Sequence, residues 1–153
     1  MLETNDNILV ESLTEALDTM AFMSVMPPEE ELPTPSRSIR VTMDFAGSVK
    51  GAVRLMAPVE GVHMIAASIM GIDFEDDEAQ DKDIDAFKEL LNTTCGIIIT
   101  NIATSAADVF DLALPEAEIF SDADEWGKFI GREQVTVLDV DGSPMAVELT
   151  MLS

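Results

Sequence analysis

Three polar side chains, Asp85, Glu89 and Asn92, recur at i, i+4 and i+7. On an α-helix, at about 100° per residue, that spacing gathers them into a stripe of about 60°. Gly96 continues the stripe one turn further on. Two carboxylates and a primary amide on one face offer hydrogen-bonding groups to solvent or to another protein. The amide both donates and accepts hydrogen bonds while staying neutral. A glycine inside a helix costs about 1 kcal/mol relative to alanine, and on an exposed face it clears room for another protein's backbone. An ordinary solvated helix surface carries the same pattern, so the surrounding elements decide what it means.

The helix that would carry the stripe runs from Ile84 to about Ala107. Its apolar residues Phe87, Leu91, Thr94, Ile98 and Ile102 centre roughly 140° from the polar ones, so the stripe faces solvent. A second long helix is predicted from Ile8 to about Val25, with Leu9, Leu13, Ala16, Leu17 and Met20 on one face and Asn5 to Asn7 as candidate caps. Met26 to Ser36 reads as a loop, because Pro27, Pro28, Pro33 and Pro35 stop a helix, and Glu29, Glu30 and Glu31 are most simply solvated. Ile39, Val41, Met43 and Phe45 alternate with polar residues, Gly47 to Gly51 turn, and Ala52 to Met56 return as the second strand of a hairpin. Val59 to Gly71 is a helix capped by Gly71, and Asp73 to Asp83 an acidic connector. Ile119 to Phe129 has no clear period and is expected to hold an edge strand and a turn. Gln134 to Val140 and Met145 to Leu152 form a second hairpin about Asp141-Gly142. An exposed sheet edge is expected near Gly131 to Val140 or Met145 to Leu152.

The chain echoes itself. Glu15-Ala16-Leu17-Asp18-Thr19 matches Glu89-Leu90-Leu91-Asn92-Thr93 at an offset of 74 residues, and each is followed by a hairpin. The fold class is therefore α+β: two long helices packed on antiparallel β-sheet, with an internal pseudo-two-fold repeat, in a single domain over residues 1–153.

The 153 residues carry 30 Asp and Glu against 8 Lys and Arg, a formal charge of −22. That balance disfavours nucleic acid and anionic membranes as partners and predicts salt-sensitive association with any basic docking face. No signal peptide is read at the acidic N-terminus, and the longest apolar stretch, Val62 to Ile72, is about half of a membrane span, so a cytoplasmic protein is expected. One cysteine, Cys95, and one histidine, His63, cannot build a structural zinc site. Cys95 reads as a small packing residue and His63 as a surface or half-buried residue outside the chemistry, while Trp126 anchors a loop or an interface. The acidic run Glu75 to Glu78 lacks the loop spacing of an EF-hand, so no metal site is expected.

Asp85-x3-Glu89-x2-Asn92, followed after 22 residues by Pro115, resembles the signature of the CheC/CheX/FliY phosphatases of bacterial chemotaxis. Glu89 to Gly96 is similar to that family's E-x-x-N-x-x-x-G helix, Phe45 to Val53 to its F-x-G-x-x-x-G hairpin, and Ile65 to Gly71 to the following helix that ends in glycine. The similarity runs from about residue 8 to 152 and is greatest to CheX, because only one signature is intact. The resemblance implies dephosphorylation of the aspartyl phosphate of a CheY-type response regulator in two-component signalling. It implies Asn92 and Glu89 as catalytic residues: Asn92 orients the attacking water, and Glu89 pairs with a lysine of the regulator. Asp85 and Gly96 serve docking. Pro115 matches the signature, but its position past the helix gives it a backbone role and not a catalytic one. It implies no cofactor of the chain's own, Mg²⁺ in the partner's site, and a homodimer.

Glu11, Glu15, Asp18 and Phe22 stand 74 residues before Asp85, Glu89, Asn92 and Gly96. Asp18 in place of the amide would aim a carboxylate at an acyl phosphate. At 4 Å and an effective dielectric near 20 that repulsion is about 4 kcal/mol. Phe22 would block close approach. Glu15 and Asp18 are thus expected to mark a degenerate, inactive second site. Two other functions fit the stripe: a non-catalytic module that binds a response regulator or the flagellar switch, and a hydrolase with Asp85 and Glu89 as acid and base. The last is disfavoured because both carboxylates face solvent.

Overall fold

The computed structural model describes residues 5–28, 31–103, 105 and 107–152. Glu29 and Glu30 of the acidic loop, and the chain start at 1–4, lie outside them. The elements in order are α1 (Asn5–Ala21), β1 (Val25–Met26), β2 (Ser38–Ala46), β3 (Lys50–Pro58), α2 (Val59–Met70), α3 (Asp77–Asp81), α4 (Asp83–Ile102), β4 (Asp111–Leu112), β5 (Glu116–Phe120), α5 (Asp124–Ile130), β6 (Val135–Val140) and β7 (Ser143–Leu152).

The strands form one antiparallel sheet in the order β1-β6-β7-β3-β2-β4, with β5 also pairing β2. The alternation of β2 sends Ile39, Val41, Met43 and Phe45 to one face. There they meet Val53 and Leu55 of β3, Met145, Val147 and Leu149 of β7, and the buried sides of α1, α2 and α4. The fold is α+β with helices on antiparallel sheet, as the periodicities predict.

Local chemistry sets the ends of these elements. Gly71 adopts φ 67°, and the N–H groups of Gly71 and Ile72 return to Ser68 and Ala67 carbonyls, a Schellman end to α2. Asp141 (φ 48°) and Gly142 (φ 90°) make the two-residue turn that joins β6 to β7. The two glycines of the first hairpin are packing requirements. A Cβ on Gly47 would lie 2.6 Å from the Phe110 ring, and one on Gly51 would lie 2.4 Å from the Thr150 carbonyl oxygen.

Several boundaries differ from those read in the sequence. Helix α1 ends at Ala21, not near Val25, because Phe22 turns to a left-handed φ of 54° and Val25–Met26 pair with β6. Helix α4 ends at Ile102, not Ala107, because Ser105 takes the following N–H groups: its hydroxyl accepts from Ala107 and its carbonyl from Asp108. The acidic connector contains the short helix α3, capped by the Asp76 carboxylate at the N–H of Glu78. The unclear stretch is a strand, β5, and a helix, α5. Helix α5 lays Trp126 and Phe129 on Met56 and Ala146, covering the sheet face opposite the long helices. Of the two stretches expected to hold an exposed edge, β6 does, since among the described residues β1 covers it at Asp139 and Val140 alone, whereas β7 lies inside the sheet between β6 and β3.

The outer face also holds a buried ion group. Glu148 is 1% exposed, with Arg132 Nε at 2.7 Å and Arg54 Nη1 at 3.0 Å. Two guanidinium groups on one carboxylate are what a charge needs to be tolerated at that depth.

Candidate functional site

Helix α4 packs against α1, α2, β2 and β3. It buries Ala86, Phe87, Leu90, Leu91, Thr94, Cys95 and Ile98. The opposite side presents Asp85, Glu89 and Asn92 to solvent, all three exposed. Gly96 is half-buried, and a Cβ built on it meets nothing within 4 Å. The chain's own packing therefore does not require this glycine.

The start of α4 is fixed from below. Asp83 is buried, its Oδ1 accepts from the N–H of Ile84 at 2.6 Å, and its Oδ2 lies 2.8 Å from His63 Nε2 on α2. His63, read as outside the chemistry, is thus a structural partner of the helix that carries it. Its spacing from Asp83 carries no signal of this pairing.

Facing the stripe is a groove of about 330 Å³ lined by Asp85, Lys88, Glu89 and Asn92 of α4, by Met43 of β2, and by the segment Leu112 to Pro115. That segment owes its shape to a register shift. Thr42 pairs with Glu116 and Phe45 with Leu112, so Met43 and Asp44 face three residues, Ala113, Leu114 and Pro115. One residue too many makes a bulge. Pro115 has no N–H to give the ladder, which suits it to a bulge on an edge strand. Ala113 still donates its N–H to the Asp44 carbonyl at 2.9 Å. Leu114 is pushed out to 87% exposure. Pro115 thus has the backbone role read from its position, and it also lines the groove with Asn92. Lys88, Met43, Leu112 and Leu114 were not expected at the site from the sequence. Only Lys88, three residues after Asp85, had a spacing that could have shown it.

Chemically, the groove offers an amide and two carboxylates beside an apolar wall. Cys95 takes no part: it is fully buried, and burial pushes its thiol up to about 11. Among the described residues, no three His, Cys, Asp or Glu side chains are grouped as a metal site. No described helix is long and apolar enough to cross a membrane. On α1, Glu11, Glu15 and Asp18 are exposed, and Phe22 projects at 86% exposure.

Solved structures share the whole architecture. A chain of the CheX–CheY–BeF3–Mg²⁺ complex from Borrelia burgdorferi is 19% identical with a TM-score of 0.66, covering 98% of this chain and 99% of that one. The chemotaxis protein CheX from Desulfovibrio desulfuricans is 15% identical with a TM-score of 0.67, over 95% and 97% of the two chains. FliY from Thermotoga maritima is 17% identical with a TM-score of 0.61, over 100% and 92%. No curated protein matches the sequence. The family model described as chemotaxis phosphatase CheX matches residues 39–122, more than half of the chain, and includes both the α4 stripe and Pro115. The chain belongs to the CheX family of chemotaxis phosphatases.

Proposed function

We propose that this chain hydrolyses the aspartyl phosphate of a CheY-type response regulator, with Asn92 orienting the attacking water. The observation that carries the reading is the exposed Asn92 amide on a groove whose other wall, the Leu112–Pro115 bulge, is built by a proline-containing edge strand. A CheX–CheY complex with BeF3 and Mg²⁺ shares this fold, which supports a CheY-type partner.

The reaction breaks the bond between phosphorus and the aspartyl oxygen as water adds in line on the other side. The products are inorganic phosphate and a free carboxylate. Such a step depends mostly on orientation and electrostatics. Asn92 would accept a hydrogen bond from the water and donate one to a phosphoryl oxygen, fixing the water on the line of attack. Glu89, one turn earlier, would pair with a lysine of the regulator and set the register. Asp85 would extend that contact, and Gly96 would let the partner backbone approach. Mg²⁺ in the regulator's site supplies charge neutralisation at the phosphoryl oxygens.

The same reading makes Glu15 and Asp18 the remnant of a second site without activity. It also has the chain act in the cytoplasm as a homodimer. Among the described residues no strand pairs with the outer side of β6 at residues 136–138, which leaves backbone for joining two copies.

The test is phosphate release from phosphorylated CheY-type regulators with Mg²⁺. Wild type is expected to accelerate release, Asn92→Ala and Glu89→Ala to lose about 100-fold, and Asp18→Ala to stay within about twofold, since its carboxylate has no orienting role in this reading. Binding without acceleration would leave a docking module and remove the enzyme reading.

A further inference from the structure

We propose that Lys88 is a specificity contact of this groove, its ammonium pairing with a carboxylate on the docking face of the regulator. The proposal rests on the function given above.

Eight Lys and Arg residues stand in this chain. Four are in ion pairs: Arg40 with Glu118, Arg54 and Arg132 with Glu148, and Lys128 with Glu125. The remaining Arg37, Lys50 and Lys82 are exposed, whereas Lys88 is half-buried. Acids Asp85 and Glu89 neighbour it on α4, yet among the described residues Lys88 has no ion-pair partner. A half-buried lysine whose ammonium has no ion-pair partner among the described residues is available to an incoming anion. This one lines the groove that Asn92 lines, one turn before it and about 6 Å back along the axis.

The chain's charge of −22 repels an acidic surface at long range. A cation inside the groove is the local exception, and such exceptions set register and partner choice more than raw affinity. Asn92 occupies the position over the phosphoryl group, so the anion one turn away is assigned to a carboxylate at the rim. Glu89 and Lys88, adjacent and of opposite sign, then read one cation and one anion on the partner. A regulator lacking the anion at that place is disfavoured.

The experiment measures affinity and phosphate-release kinetics with a phosphorylated CheY-type regulator for wild type, Lys88→Ala and Lys88→Glu. It adds a set of regulator variants in which each acidic residue near the phosphorylation site is changed to lysine. Lys88→Ala is expected to weaken binding about threefold and Lys88→Glu about tenfold, with the loss in KM rather than kcat and with equal thermal midpoints. One acid-to-lysine variant of the regulator is expected to restore the affinity of Lys88→Glu. Rescue by charge exchange is a result that a phosphoryl contact or a purely structural lysine cannot produce. If Lys88→Glu binds like wild type, or if no exchange rescues it, the proposal is overturned, while Asn92-dependent hydrolysis would leave the function standing. If wild type binds without hydrolysis, the function reading fails and the exchange still decides the role of Lys88. If no regulator binds, both fall.

Discussion

His63 Nε2 on α2 lies 2.8 Å from Asp83 Oδ2 at the first residue of α4, and this contact joins the two helices just below the polar stripe. Removing the imidazole leaves a buried carboxylate that, among the described residues, keeps the Ile84 N–H as a hydrogen-bond donor. His63→Ala is expected to cost about 1–3 kcal/mol, read from denaturant midpoints, with faster amide exchange at Ile84 to Phe87. His63→Gln, which keeps a donor, recovers part of the loss.

Gly96 sits in a helix with open space above it. Gly96→Ala is therefore expected to raise stability by about 1 kcal/mol, or a melting shift of about 2–4 °C. Turnover on the regulator should fall in the same variant. Opposite signs in melting and activity identify a residue kept for the partner. Unchanged turnover would deprive Gly96 of its docking role.

Phe22 carries a left-handed φ of 54° at the end of α1 while its ring is 86% exposed. It thus meets backbone strain with little burial in return. Phe22→Gly is expected to stabilise the chain by about 0.5–1 kcal/mol, the relief of strain being partly offset by the greater freedom of the unfolded glycine. Urea midpoints measure it.

Cys95 keeps its proton when folded up to about pH 11, against 9.0 for the ordinary thiol, because burial disfavours the thiolate. Its folded state therefore holds a proton that the unfolded chain releases above about pH 9. This contribution is complete below pH 9 and is lost as pH rises toward 11, about 2–3 kcal/mol in total. The pH dependence of unfolding should be flatter in that window for Cys95→Ala. Thiol reagents at pH 8 should label native wild type only as fast as it unfolds.

Much of this architecture can be read from the sequence because it rests on local rules. Gly71 closes a helix, Asp141-Gly142 turns a hairpin, and the stripe opposite Phe87, Leu91 and Ile98 is exposed. What could not be read depends on distant segments meeting. Helix α5 buries Trp126 and Phe129 three residues apart, with Gly127 between them, too short a pattern to show a period. The pairing of His63 with Asp83 joins two helices. The groove wall follows from how residues 111–120 register on β2, which no local window contains. The exposed polar stripe of α4 was therefore legible in its spacing, whereas the shape opposite it was not.

The extra residue opposite Met43 and Asp44 has a mechanical consequence. The ladder is locked on both sides of it: Arg40 holds Glu118 at 3.1 Å beyond one end, and the Phe110 ring rests on Gly47 and beside Phe45 near the other. A surplus trapped between two fixed points cannot slide away by shifting the strand. A wall held in register at both ends leaves more of the conformational cost of a fit to the incoming chain. Taking out one residue between Leu112 and Glu116 would bring the two stretches of pairing into phase and flatten the wall while leaving every side chain of α4 in place. Strand phase, set on an edge of the sheet, is thus a control on what this helix can meet.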